Sequence, residues 1–79
     1  MELNDFITKF AEQFDETEAS QFKANTEFKT LVDWSSMTAL SIIAMVDDEY
    51  GVIIKGDDIR KSTTIEDMFN SVKEYKSKN

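Results

Sequence analysis

The sequence predicts an all-α fold: a small four-helix bundle with three main helices and one short helix, and a long loop between the first and second helices. Pro is absent and Gly occurs only twice, so few residues would interrupt a helix. Apolar residues also recur at helical spacing in three separate segments. The 79 residues, of which 41% are hydrophobic, suffice for one small core, so we expect a single domain over residues 1–79.

The first helix and the loop that follows it are predicted from the positions of apolar residues. The helix is expected from Leu3 to Phe14, where apolar side chains fall at helical spacing. These side chains are Leu3, Phe6, Ile7, Phe10 and Phe14. The polar segment Asp15–Thr30 has no sustained period and is expected to be a loop, anchored to the core by Phe22 and Phe28.

The second helix is predicted over Ser36–Tyr50, followed by a short third helix. Gly51 should end the second helix, because Gly readily adopts the left-handed conformation that follows many helices. The next residues, "VIIK", are expected to be extended. Asp57 and Asp58 favour the start of a short helix. The buried stripe of the second helix consists of Ala39, Ile42, Ile43, Val46 and Tyr50.

The last helix is expected to begin after Thr63. Thr63 and Glu66 have the spacing of a capping box, in which each side chain bonds to the backbone N–H of the other residue. The apolar residues that follow at helical spacing predict its buried face. They are Ile65, Met68, Phe69 and Val72.

The composition excludes several classes of function. The net charge is −7, so a nucleic-acid partner is not expected, and basic patches on other proteins are the complementary surfaces. The chain has no Cys and no His, and a catalytic Ser needs a base, so we expect neither an enzyme nor a metal site. A calcium-binding EF-hand loop has Gly at its sixth position and an acid at its first. With Gly51 at the sixth position, the first position would be Val46, so this segment does not fit such a loop. No apolar run is long enough to span a membrane, so no membrane partner is expected.

The second helix carries another face, roughly opposite Ile42 and Val46. It begins with a hydroxyl, continues with apolar residues and ends with acids, a pattern typical of a docking surface. A helix that is simply buried on both sides is the alternative interpretation. The face begins at Ser36, and its candidate partner-docking residues are Met37, Leu40, Ser41, Ala44, Asp47 and Asp48.

Two adjacent serines, Ser35 and Ser36, precede this apolar run. Ser is a preferred N-cap, so one of the two is expected to cap the helix. A hydroxyl at a helix N-terminus is also a favourable attachment point for a phosphate, because open backbone N–H groups and the helix dipole stabilise an anion. Spacing alone leaves both roles open.

The segment "DWSSMTALSIIAMVDDEYGV" resembles the core of acyl carrier proteins. In that family a serine within an Asp-Ser-Leu motif opens the second helix, which closes with acids and an aromatic-glycine pair. The segment "STTIEDMF", from Ser62 to Phe69, is similar to the family's Thr-Thr-x-x-Asp entry into the last helix. The similarity covers about Phe28 to Val72, whereas the first helix resembles that of the family only in being a helix.

The resemblance implies a carrier, not an enzyme. A phosphopantetheinyl transferase would move 4′-phosphopantetheine from coenzyme A onto Ser36 Oγ, and the thiol of the arm would hold acyl groups as thioesters. Ser36 is the matching serine because the aliphatic Met37 follows it. Ser35 stands where the family has Asp, and Ser41 stands where many members have Glu. The resemblance further implies a monomeric cytoplasmic phosphoprotein of fatty acid, polyketide, peptide or specialised lipid synthesis.

The acyl chain is expected to lie between the second helix and the short third one, where Met and aliphatic side chains make the core adaptable. The predicted pocket residues are Met45, Val46, Ile54, Ile59 and Met68. The alternative function is an unmodified acidic adaptor that only docks to partner proteins. The absence of the family's acid at Ser35 favours that alternative.

Overall fold

The computed structural model describes residues 1–78, and Asn79, the last residue of the predicted domain, lies outside the described residues. The regular secondary structure of residues 1–78 is entirely helical, which confirms the predicted fold class of three main helices and one short one. The helices are α1 (Leu3–Ala11), α2 (Ser36–Tyr50), α3 (Gly56–Lys61) and α4 (Ile65–Ser77). Over the same residues, no helix combines the length and the apolarity needed to cross a membrane.

Helix α1 ends at Ala11, so the predicted end at Phe14 is wrong. The N–H of Phe14 donates to the Ala11 carbonyl at 3.0 Å, which is a tight i→i+3 turn and not a continuation of the α-helix. Beyond this turn the Asp33 carboxylate accepts the backbone N–H of Glu16 at 2.9 Å and holds the chain in the loop. Phe14 is nevertheless buried, so it contributes to the core from just beyond the helix.

The loop between α1 and α2 spans residues 12–35 and includes two short 3-10 turns, Ala19–Gln21 and Phe28–Thr30. Phe22 and Phe28 are buried, which confirms that they anchor the loop to the core. Their rings belong to a continuous series of aromatic contacts with centroid separations of 5.0–6.4 Å. The series consists of Phe6, Phe10, Phe14, Phe22, Phe28 and Trp34.

Helix α2 begins and ends at the predicted residues. Gly51 ends it with a φ of 67°, in the left-handed region, and its N–H donates to the Asp47 carbonyl at 2.9 Å. Residues 52–55 then run without regular structure to α3, as the sequence predicted for this segment.

Helix α3 is fastened to α4 through Asp58, a carboxylate in a residue that is only 4% exposed. Asp58 Oδ2 accepts the backbone N–H of Lys55 at 2.8 Å, and the hydroxyl oxygen of Tyr75 lies 3.0 Å from both carboxylate oxygens. Lys61 Nζ lies 3.6 Å from Asp58 Oδ1. These partners offset the cost of burying the charge and hold the short helix in place.

The capping box of α4 is formed by Thr64 and Asp67, so the predicted pair of Thr63 and Glu66 is wrong by one residue. Thr64 Oγ1 accepts the N–H of Asp67 at 3.2 Å, and Asp67 Oδ2 accepts the N–H of Thr64 at 3.0 Å. The N–H of Glu66 instead donates to the carbonyl of Ala24 in the long loop, at 2.9 Å. The predicted buried face of α4 is confirmed and consists of Ile65, Met68, Phe69 and Val72.

Candidate functional site

The two serines at the start of α2 have different environments. Ser35 is the N-cap: its Oγ accepts the N–H of Thr38 at 3.2 Å, and its backbone is extended. Thr38 Oγ1 in turn donates to the Asp33 carbonyl at 2.9 Å, which completes the helix start. Ser36 is the first residue of α2 and is exposed, and its hydroxyl has no hydrogen-bond partner within residues 1–78. Because Ser35 supplies the cap, the Ser36 hydroxyl is left available for chemistry.

An apolar cleft of about 380 Å³ lies beside Ser36, between the first two turns of α2 and helix α3. The loop before α2 contributes the wall formed by Trp34, which is held in place by an edge-on contact with Phe28 at 5.2 Å. Three polar or charged side chains also line the cleft: Lys29, Ser36 and Arg60. The remaining lining residues are Ala39, Leu40, Ile43, Gly56 and Ile59.

The face of α2 that begins at Ser36 is exposed along its whole length. Met37 is 74% exposed and Leu40 is 62% exposed, which is unusual for large apolar side chains in a core-forming helix. The interpretation of α2 as a helix buried on both sides is therefore wrong. The other exposed residues of this face are Ser41, Ala44, Asp47 and Asp48.

The residues predicted to hold an acyl chain lie deeper than the cleft. All five are buried: Met45, Val46, Ile54, Ile59 and Met68. Of these, only Ile59 also lines the cleft beside Ser36. Ala39 and Ile43, which the prediction left out of the pocket, lie three and seven positions after Ser36, so helical spacing alone places them on the same side of α2. The role of the five buried residues stays a prediction.

Two cations that the sequence pattern did not single out border the cleft. Lys29 Nζ donates to the carbonyls of Ile59 at 3.2 Å and of Arg60 at 2.9 Å, and thereby ties the long loop to the last residues of α3. Arg60 itself forms an exposed ion pair with Asp57. The signal in the sequence is weak, because Lys29 lies 31 positions before Arg60 and only the folded chain brings them together.

Asp33 is the acid closest in sequence to the two serines, and its carboxylate is engaged by the long loop. The Thr17 hydroxyl donates to Oδ1 at 2.6 Å, and the Glu16 N–H donates to Oδ2 at 2.9 Å. These hydrogen bonds hold the pKa of Asp33 below its usual value, and the bond from the Thr17 side chain has the largest effect. Asp33 is therefore ionised at neutral pH, with its charge directed at the loop.

No protein-family model matches this chain, and comparisons with curated proteins and with solved structures likewise found no match. The residues and their geometry therefore define the site: an exposed serine hydroxyl at a helix start, an apolar cleft bordered by two cations, and an exposed face that runs from apolar to acidic.

Proposed function

We propose that this protein is an acyl carrier that holds acyl groups as thioesters on a 4′-phosphopantetheine arm attached to Ser36. The observation that carries the proposal is the exposed Ser36 hydroxyl in the first turn of α2, which forms no hydrogen bond within residues 1–78 while Ser35 performs the capping. The resemblance of the segment from Asp33 to Val52 to the core of carrier proteins selects the same serine.

The residues around Ser36 fit such a group. The hydroxyl is accessible to another enzyme, so Ser36 Oγ could form the bond to phosphorus while the diphosphate linkage of coenzyme A breaks and adenosine 3′,5′-bisphosphate leaves. The proton would leave to a base of the transferase, because this chain has no His. The arm would supply a thiol, which the chain itself lacks because it contains no Cys.

The other surfaces of the site have separate roles in this proposal. The apolar cleft of Trp34, Ile43 and Ile59 would shield a short attached group from water. The exposed apolar residues of α2 would contact the partner enzyme, and Asp47 and Asp48 would steer a basic surface toward them. The protein would act as a cytoplasmic monomer in lipid or specialised-metabolite synthesis, without catalytic activity of its own.

A second candidate is an unmodified adaptor that docks through the same face of α2. It is favoured by the strong exposure of Met37 and Leu40, which docking alone would explain, and by the absence of an acid at Ser35.

Mass spectrometry of the intact protein separates the two functions. The purified chain is incubated with coenzyme A and a phosphopantetheinyl transferase of broad specificity. A carrier gains the mass of one phosphopantetheine, and Ser36→Ala abolishes that gain. Ser20→Ala is the matched control, because Ser20 is also an exposed serine but lies in the long loop outside α2, and it should be modified like the wild type. An adaptor gains no mass in any variant.

A further inference from the structure

Lys29 and Arg60 form a local concentration of positive charge in a strongly acidic chain. The protein has sixteen acidic and nine basic residues, so most of its surface repels anions. Two of those nine basic side chains nevertheless line the same cleft as Ser36. A negative charge placed on Ser36 would therefore share a cleft with two cations that favour it.

Lys29 lines the cleft with a side chain that is already held in place. An ammonium group has three N–H donors, and the carbonyls of Ile59 and Arg60 take two of them. Those two bonds fix the direction of the side chain, so binding an anion with the third donor costs little further conformational entropy. Lys29 is also half-buried, which reduces the screening of its charge by water.

Arg60 can supply a second contact. Its guanidinium has five N–H donors in a planar fork that suits phosphate oxygens, and its charged partner within residues 1–78 is Asp57. Both side chains of that pair are strongly exposed, so the pair is weak and Arg60 can exchange Asp57 for another anion at little cost.

We infer that Lys29 and Arg60 form an anion site that binds the phosphodiester through which the arm is attached to Ser36. This inference rests on the proposed function. The phosphodiester carries one negative charge, and charge-assisted hydrogen bonds from the two cations fix its position. The first segment of the arm is thereby held at the mouth of the cleft, and its far end remains free to move.

The experiment compares loaded and unloaded protein for the wild type and three variants: Arg60→Gln, Arg60→Lys and Lys61→Gln. Loading is driven to completion and checked by intact mass, and the thermal midpoint of each form is measured at low salt. The Lys61→Gln variant is the matched control, because it removes the same charge from the same helix at a residue that does not line the cleft. Comparing loaded with unloaded forms cancels the direct effect of each substitution on folding.

We expect loading to raise the thermal midpoint of the wild type and of Lys61→Gln. In Arg60→Gln this rise should be smaller by about 2–4 °C, given the energies of exposed ion pairs and the size of the domain. Arg60→Lys should retain part of the gain, and about 1 M salt should remove most of it in every variant. An equal gain in Arg60→Gln and the wild type would overturn the anion site while leaving the carrier function intact. A wild type that gains no mass would overturn both.

Discussion

At the scale of single residues, the important division is between Ser35 and Ser36. The two side chains are chemically identical, but one accepts a backbone N–H and stabilises the helix start, whereas the other is exposed and has no hydrogen-bond partner within residues 1–78. The sequence predicted that one serine would cap, and only the resemblance to carrier proteins selected Ser36 for attachment. Sequence spacing could not decide between them, because a shift of the helix start by one residue would exchange their roles.

Ser35→Asp is predicted to speed modification of Ser36. Asp also caps helices well, so α2 should start at the same residue, while the added charge faces the basic surface expected of a transferase. An exposed contact of up to about 1 kcal/mol corresponds to a rate increase of up to about fivefold. The measurement is the initial rate of mass gain, with Ser35→Asn as an uncharged capping control. Equal rates for the Asp and Asn variants would contradict the prediction.

Asp33 should make stability depend on pH. Its pKa is lowered in the folded state, so its contribution to the free energy of unfolding is present above its unfolded pKa of about 3.9 and is lost as the pH falls through the lower folded pKa. Asp33→Asn should therefore lose less stability than the wild type when the pH falls from about 7 to about 3.

The pH measurement is urea unfolding at both pH values. Asp15→Asn is the control, because Asp15 is an exposed neighbour of the same loop that forms no side-chain hydrogen bond within residues 1–78. This control should lose as much stability as the wild type. If Asp33→Asn and the wild type lost equal stability between the two pH values, Asp33 would not be responsible for the pH dependence of stability.

At the scale of elements, helix boundaries were predictable where their signals are local. Gly51 ends α2 through its own left-handed backbone, and a serine caps the other end. The end of α1 was missed because the Asp33 carboxylate, 17 positions away from Glu16, holds the chain that follows the helix. The cap of α4 was misplaced by one residue because a carbonyl of the distant loop takes the N–H of Glu66.

Reversing the acidic end of the α2 face is predicted to slow loading. Asp47→Lys combined with Asp48→Lys should lower the association rate with a basic transferase by about tenfold or more at low salt, because electrostatic steering is lost. Both positions are exposed, so the fold should be little affected. The control is the double variant Glu66→Lys with Glu74→Lys, which makes the same charge change on α4. Rates that are independent of salt and equal in both double variants would place docking on another surface.

At the scale of the whole molecule, the cleft depends on three separate segments. The loop contributes Lys29 and Trp34, α2 contributes Ser36 and Ile43, and α3 contributes Ile59 together with Gly56 and Arg60. The exposed face of α2 could be predicted because its residues lie on one helix with a regular period. The cleft could not, because the loop has no period and its position is set by aromatic contacts across the core.

Phe28→Ala should test whether the loop is part of the core. Phe28 is completely buried and contacts Phe10 and Trp34, so the substitution should cost about 3–5 kcal/mol. That is a large part of the total of about 4–12 kcal/mol expected for a domain of this size. Val32→Ala, at an exposed position of the same loop, should change stability by less than about 0.5 kcal/mol in urea unfolding. Similar losses in both variants would contradict this role of the loop.

The most direct test of the central claim is to locate the modified residue by fragmentation mass spectrometry. After loading with coenzyme A, trypsin should release the peptide from Thr30 to Lys55, which contains Ser35, Ser36 and Ser41 and is not cut internally because no Lys or Arg lies between its ends. We predict one phosphopantetheine on this peptide, with fragment masses that place it on Ser36. A group on Ser35 or Ser41, or an unmodified peptide from a fully folded protein, would contradict the assignment.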